Sequence, residues 1–360
     1  RKRTAIQYPA VTLKLCVFQG KFSKIYMDID GSLLEGGGQI LRISISLSAI
    51  LGIPVRISKI RAGRSKPGLA AQHCKGIQLV ADMCQAKTKG AEIGSTEVQF
   101  APKKIRGGQY FADPHTAGSI SLLLQVALPC ALMAYGPVTF DLRGGTNADM
   151  APQIDYMDKV FRHALRQFGA DFGLTIHRRG YFPKGGGQVT VNVNPVRSFR
   201  SVTLTDPGTV HRITGSSFVA GVLPISMAHQ MAEGAKQALR SVAETTINCY
   251  KEDSRIAIGN CNGMLLTCTT STGHVLGSDA LGKRGSEPRQ AELGTKTVNN
   301  VLFQDQVILF MALAEGKSCV TVGEVTLHTK TAIHIAEMLA KVLFFSFVSL
   351  PFNLLDANDR

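Results

Sequence analysis

Glu35-Gly36-Gly37-Gly38-Gln39-Ile40-Leu41-Arg42 sets three glycines directly before an apolar run, and a close echo stands at Lys184-Gly185-Gly186-Gly187-Gln188-Val189. Arg-Gly-Gly occurs twice more, at 106–108 and 143–145. Glycine tolerates the tight turns that join elements. Recurrent Gly-rich junctions between β-rich and helical stretches therefore point to several similar α/β units. Their spacing is irregular, which excludes a solenoid, so the fold class is α/β (α+β). The run after the first triplet reads two ways. Leu41, Ile43, Ile45 and Leu47 alternate, so periodicity over residues 40–51 predicts a strand, whereas the glycines before it suit a turn into a helix. Val98-Gln99-Phe100 and residues 138–142 alternate like half-buried strands, and 119–128 and 307–314 read as buried helices. Residues 200–297 lack the Gly-rich junctions and are expected to form a separate inserted domain.

Composition bounds the rest. The 360 residues carry 40 Lys plus Arg against 26 Asp plus Glu, a formal charge of +14, and 44% are hydrophobic. That apolar fraction excludes disorder as the main state. The eight cysteines show no C-x-x-C spacing and no N-x-[ST] acceptor occurs, which suits free thiols in a reducing compartment. Residues 1–25 form a basic, acid-free extension starting Arg1-Lys2-Arg3, which a transit peptide or a disordered arm would resemble. The apolar run at 342–350 is far short of the ~20 residues that span a bilayer, so no membrane partner is expected.

Chemistry concentrates near the first triplet. From Gly36 through Ala81 there is no Asp or Glu, while Arg42, Arg56, Lys59, Arg61, Arg64, Lys66 and Lys75 all fall there. Arg forks bind phosphate oxygens bidentately and Gly lets backbone approach, so Ile60–Gly68 reads as an anion clamp for a nucleotide, RNA or a phosphorylated metabolite. Glu35 either holds a metal or merely ends a strand. Other nucleotide motifs fail. Gly316-Lys317-Ser318 resembles the end of a P-loop, but Met311 stands where its first Gly belongs. There is no G-x-G-x-x-G, no G-x-S-x-G and no H-E-x-x-H. His328 and His334 are six apart and do not share a helix face well, and a lone histidine is most often structural.

Taken together, these stretches resemble the RNA 3′-terminal phosphate cyclase family. The similarity rests on Asp30-Gly31 with EGGGQILR at 35–42, IRAGRSKPGL at 60–69, Gln72-His73, AGS at 117–119 and Gln125. It continues through GGTNADMAPQIDY at 144–156, RGYFPKGGG at 179–187, GKRG at 282–285, QDQVILFMALA at 304–314 and HTKTAIH at 328–334. The resemblance implies three repeated βαβαββ units, like the C-terminal domain of bacterial translation initiation factor three, plus a smaller inserted α/β domain. The implied division is 26–199 with 298–345 as the large catalytic domain, 200–297 as the insert and 346–360 as an atypical tail.

The resemblance also implies an ATP- and Mg²⁺-dependent conversion of an RNA 3′-phosphate to a 2′,3′-cyclic phosphate through a covalent histidine–AMP. His328 is then the nucleophile, and Arg42, Arg61 and Arg64 neutralise phosphates. Glu35, Gln72, Gln125, Pro152, Asp305 and Gln306 fall on the nucleotide site, with Glu35 also on the metal. A non-catalytic cyclase-like protein acting in ribosomal RNA processing is the alternative, which lacks the catalytic histidine. The implied location is the nucleus (nucleoplasm), with the cytoplasm as alternative. This chain departs from the family at Leu302, where an aromatic residue is usual and Phe303 is adjacent. It is also shorter between 285 and 304, and its end from 342 differs.

Overall fold

The structure, a computed structural model, describes residues 8–17, 26–206, 208–282 and 304–352. It is a mixed α/β fold with several sheets. In the first sheet Met27–Asp30 pairs in parallel with Val55–Ser58, the latter antiparallel with Val98–Ala101, and that strand with Lys87–Lys89. Helix α1 (Gly38–Leu51) joins the two parallel strands, and α2 (Ala71–Cys84) leads from the second to the edge strand. Parallel neighbours need such a crossover, because a hairpin cannot return the chain in the same direction.

Residues 108–193 follow the same connectivity. Gly108–Ala112 leads through α3 (Ile120–Leu132) to its parallel neighbour Val138–Gly144. Helix α4 then runs Ile154–Tyr156, through a π-turn at Met157–Phe161, and on as Arg162–Gln167. Phe172–Gly180 and Gly187–Val193 follow in this sheet, the last strand lying between its predecessor and Val138–Gly144, and Ala257–Ile258 adds a short fifth strand in parallel with Phe172–Gly180.

Helix α1 corrects the strand that alternation predicts for 40–51. Its apolar residues and also Ser44, Ser46 and Ser48 are buried, because α2, α3, the first sheet and a later helix (Leu327–Ala340) cover it from all sides. A helix buried all round leaves no 3.6-residue signature. The small serines let neighbours approach, and two of them find acceptors: Ser46 Oγ donates to the carbonyls of Arg42 and Val126, and Ser48 Oγ to that of Ile53. Gly52, left-handed at φ 70°, ends the helix by donating its N–H to Ser48 O. Truncating fully buried Leu47 to Ala here costs about 2–5 kcal/mol.

A second correction concerns the echo at 184–189. It does not join a strand to a helix; it is the turn of the hairpin between Phe172–Gly180 and Gly187–Val193. The helices at 119–128 and 307–314 and the strands at 98–100 and 138–142 stand where the sequence places them.

Within 200–297, residues 210–281 build a separate four-stranded sheet, in the order Glu244–Lys251, Val210–Ala220, Cys261–Thr270, Val275–Leu281. Helix α5 (Ile225–Leu239) packs on it around a core of its own that includes Val219, Met231, Leu239 and Leu266. The remaining chain forms α6 (Gln304–Leu313) and α7 (Leu327–Ala340) and, outside the 210–281 sheet, the third sheet of the large part of the chain. That sheet runs Thr203–Leu204, Cys319–Val322, Tyr8–Val17, Val342–Phe352. Tyr8–Val17, in the segment set apart as a basic extension, thus takes the place filled in the other two sheets by the closing strand of the same stretch. The run at 342–350 is likewise a strand here and continues to Phe352. Leu302 and Phe303 lie outside the described residues. Among the described residues, no helix is long and apolar enough to cross a membrane.

Candidate functional site

The first triplet turns the chain into α1 directly beside the start of α7. The Glu35 N–H donates to Thr331 Oγ1 at 3.2 Å, tying the two helix beginnings together. Thr326 caps α7 by accepting the Thr329 N–H, which places His328 in the first turn with its side chain exposed. Asp305 starts α6 and faces this turn, in electrostatic contact with both His328 and Arg42. Desolvation raises its carboxyl above the ordinary range, against the opposing pull of His328 and Arg42.

One residue on α1 links cation and acid. Gln39 accepts from Arg42 Nη2 at 2.6 Å and donates through Nε2 to Asp305 Oδ2 at 3.0 Å. Burial lowers the Arg42 guanidinium to about 10, against the opposing pull of Asp305 and Glu35, so it stays cationic at neutral pH. Gln39, Arg42, Gln125, Asp305 and Gln306, together with Leu128 and Phe310, line a small cleft with about 30 Å³ of room.

The basic loop closes the other side. Arg64 Nη2 donates to Glu35 Oε1 at 2.5 Å. Arg61, with a left-handed backbone at φ 53°, donates through Nη1 to Gly68 O at 2.8 Å and so pins the loop shut. Gln72 on α2 accepts the N–H of Ser119, the N-cap of α3. Buried polar atoms remain without partners at this place: Glu35 Oε2, Arg42 Nε and Gln306 Oε1. Buried polar atoms ordinarily find partners, so a cluster of three fits a site that completes itself with a ligand.

The structure thus brings together Glu35, Arg42, Arg64, Asp305 and His328, with Gln125 and Gln306 on the cleft wall. Pro152 is not on that wall. It lies in the 144–153 loop, which the inserted domain grips: Gln153 donates its N–H to Asp279 Oδ2 and its Nε2 to the carbonyls of Met264 and Ala280. Sequence reasoning missed Gln39. Its signal is the i, i+3 spacing to Arg42, visible only once 38–51 is known to be a helix. It also gave His73 no role and did not single out Thr331 or Asp279.

No group of three or more metal-ligating side chains exists among the described residues. A magnesium ion needs no such cage, because one or two carboxylates with substrate phosphates suffice. The free, buried Oε2 of Glu35 fits that manner of binding.

Arg42 and Arg64 beside the first turns of α1 and α7 are the kind of groups that hold phosphate oxygens. The comparisons with known proteins make this more particular. The sequence model of the family RNA 3′-terminal phosphate cyclase matches residues 33–345, and the chain belongs to that family. It is 40% identical over 332 residues to the RNA 3′-terminal phosphate cyclase of Drosophila melanogaster, covering 88% of this chain and 92% of that one. Identity is 40% over 329 residues to that of Pyrobaculum aerophilum, covering 88% and 93%. It is 37% over 326 residues to that of Pyrococcus furiosus, covering 88% and 94%.

Proposed function

We propose that this protein is an RNA 3′-terminal phosphate cyclase that consumes ATP and works through an adenylated His328. The observation that carries the reading is the Arg42–Gln39–Asp305 chain ending beside an exposed histidine. In the first step an imidazole nitrogen of His328 attacks the α-phosphorus of ATP, the bond to the bridging oxygen breaks, and pyrophosphate leaves. Asp305 orients the ring and offsets the positive charge that it gains. Arg42 and Arg64 neutralise phosphate oxygens.

A 3′-phosphate oxygen of the RNA then attacks the same phosphorus, the P–N bond breaks, and RNA(3′)pp(5′)A forms. Finally the neighbouring 2′-OH attacks the 3′-phosphorus, AMP departs, and its proton goes to solvent. This last step asks little beyond orientation, because nucleophile and electrophile share one ribose. Glu35 would hold Mg²⁺ through Oε2, and the ion would add positive charge against the phosphates. Gln125 and Gln306 offer amide groups to the nucleotide, and the loop bearing Pro152 borders it from the side of the insert. On this reading the three sheets are one βαβαββ unit used three times, and the protein acts in the nucleus.

The test is product analysis of a 3′-phosphorylated oligoribonucleotide incubated with the protein, ATP and Mg²⁺. The expected product has lost one water and resists phosphatase. A substrate that stays phosphatase-sensitive with a folded protein favours the non-catalytic relative instead.

A further inference from the structure

His73 is a half-buried histidine that none of the steps above uses, yet it borders the same space as Arg42. It is the third residue of α2, and its Nδ1 accepts the N–H of Ala70, the N-cap, at 3.2 Å. An Nδ1 that accepts must carry its lone pair, so the ring proton sits on Nε2. Desolvation together with the Arg42 and Arg61 charges drives the imidazole down to about 4, so it is neutral across the physiological range. Nε2 makes no hydrogen bond within the protein among the described residues.

Its surroundings show where it points. A Cβ on Gly38 would lie 2.7 Å from His73 Nε2 and 2.8 Å from Arg42 Nη1. A Cβ on neighbouring Gly37 would meet the Glu35 carboxylate. A side chain at either glycine would clash with these groups, so the glycines let the Arg42 guanidinium, the His73 imidazole and the Glu35 carboxylate crowd against the turn into α1. Gln72, next to His73, accepts the Ser119 N–H through Oε1, and the His73 Nε2–H is left as an uncommitted donor.

We propose that His73 Nε2–H donates a hydrogen bond to a phosphate oxygen bound beside Arg42. The proposal rests on the phosphate chemistry assigned above and deepens it. A third cation here would be repelled by Arg42 and Arg61, whereas an uncharged donor adds directionality without that penalty. The phosphate is either that of ATP or the 3′-phosphate of RNA.

The experiment compares wild type, His73→Ala and His73→Gln, in full-length protein, by single-turnover kinetics. Enzyme–AMP formation is followed with ATP and Mg²⁺, and its discharge with a 3′-phosphorylated oligoribonucleotide. The alanine variant is expected to slow one of the two steps roughly 10- to 100-fold. His73→Gln, which carries an N–H to about the Nε2 position, is expected to recover most of the loss. Slowing of the first step identifies a nucleotide phosphate, and slowing of discharge alone identifies the RNA phosphate.

An alanine variant with unchanged melting and both rates intact overturns the proposal, as does a glutamine variant no better than alanine. Nitrogen NMR of the His73 ring supplies a readout independent of turnover and of variant folding. The Nε2-protonated tautomer is expected between pH 6 and 8, with its resonance shifting on addition of ATP with Mg²⁺ or of the phosphorylated RNA. An Nδ1-protonated ring, or no shift with either ligand, contradicts it. If wild type forms no enzyme–AMP, the cyclase reading fails separately, and His73 is judged on that resonance alone.

Discussion

The two glycine triplets share the letters Gly-Gly-Gly-Gln but solve different problems. At 36–38 the glycines carry the chain into α1; Gly36 faces the Ser32 backbone, but what lies against Gly37 and Gly38 is side chain: Glu35, His73 and Arg42. At 185–187 they form a hairpin turn, and what lies against them is largely backbone. A Cβ on Gly185 would come within 2.6 Å of Thr116 O and 2.9 Å of Ala117 Cα, and one on Gly187 within 2.8 Å of Gly144 O. The first triplet therefore gives room to side chains of the candidate site, and the second lets segments of the fold touch. Identical glycine spacing does not by itself separate the two; the surrounding residues do, because the acid-free stretch after the first is longer and richer in Arg and Lys.

This contrast breaks most readily at Gly185. Its φ of +66° is left-handed and its missing Cβ faces main chain, so Gly185→Ala combines backbone strain with overpacking. Destabilisation of about 3 kcal/mol or more is expected in denaturant melts. Gly38→Ala should do the reverse. Alanine is the better helix former by roughly 0.5–1 kcal/mol, so melting should hold while turnover falls about 100-fold as the new methyl group displaces His73 and Arg42. Equal losses of stability at both positions would erase the distinction.

A smaller effect sharpens the comparison from the side of the insert, at Asp279. Burial raises its carboxyl to about 6, and it accepts the Gln153 N–H. The folded state thus holds its proton over a range where the unfolded chain has released it, and stability is lost as pH rises from about 4 through 6. Asp279→Asn keeps an acceptor and removes the titration. The variant should match wild type near pH 4 and exceed it by about 2–3 kcal/mol at pH 7, as read from urea melts. An advantage that does not change with pH would sink this assignment.

The sequence made much of this legible, but unevenly. The strands around Val98 and Val138 alternate because one face of each meets the core, and α3 reads as buried because it is. Helix α1 escaped for the opposite reason: sheet and helices surround it, Ser44, Ser46 and Ser48 fill its tight contacts, and no polar face remains to mark the period. With α1 misread, the Gln39–Arg42 pairing could not be seen. Glu35, Arg42, Arg64, Asp305 and His328 were nameable through motif resemblance, since each sits in a distinctive string. Their convergence was not, because residues about 270 positions apart meet only through the packing of α1, α6 and α7. His73 stayed mute because its meaning lies in which ring nitrogen accepts from Ala70, a matter of geometry. Tyr8–Val17 was set aside as an extension because its pairing partners are more than 300 residues distant.

The most direct measurement is intact-protein mass after incubation with ATP and Mg²⁺, for wild type and His328→Ala. A histidine nucleophile beside Asp305 predicts a gain of one AMP in wild type and none in the variant. An adduct of the same size in His328→Ala, or no adduct in a folded wild type, would contradict the adenylated-histidine mechanism.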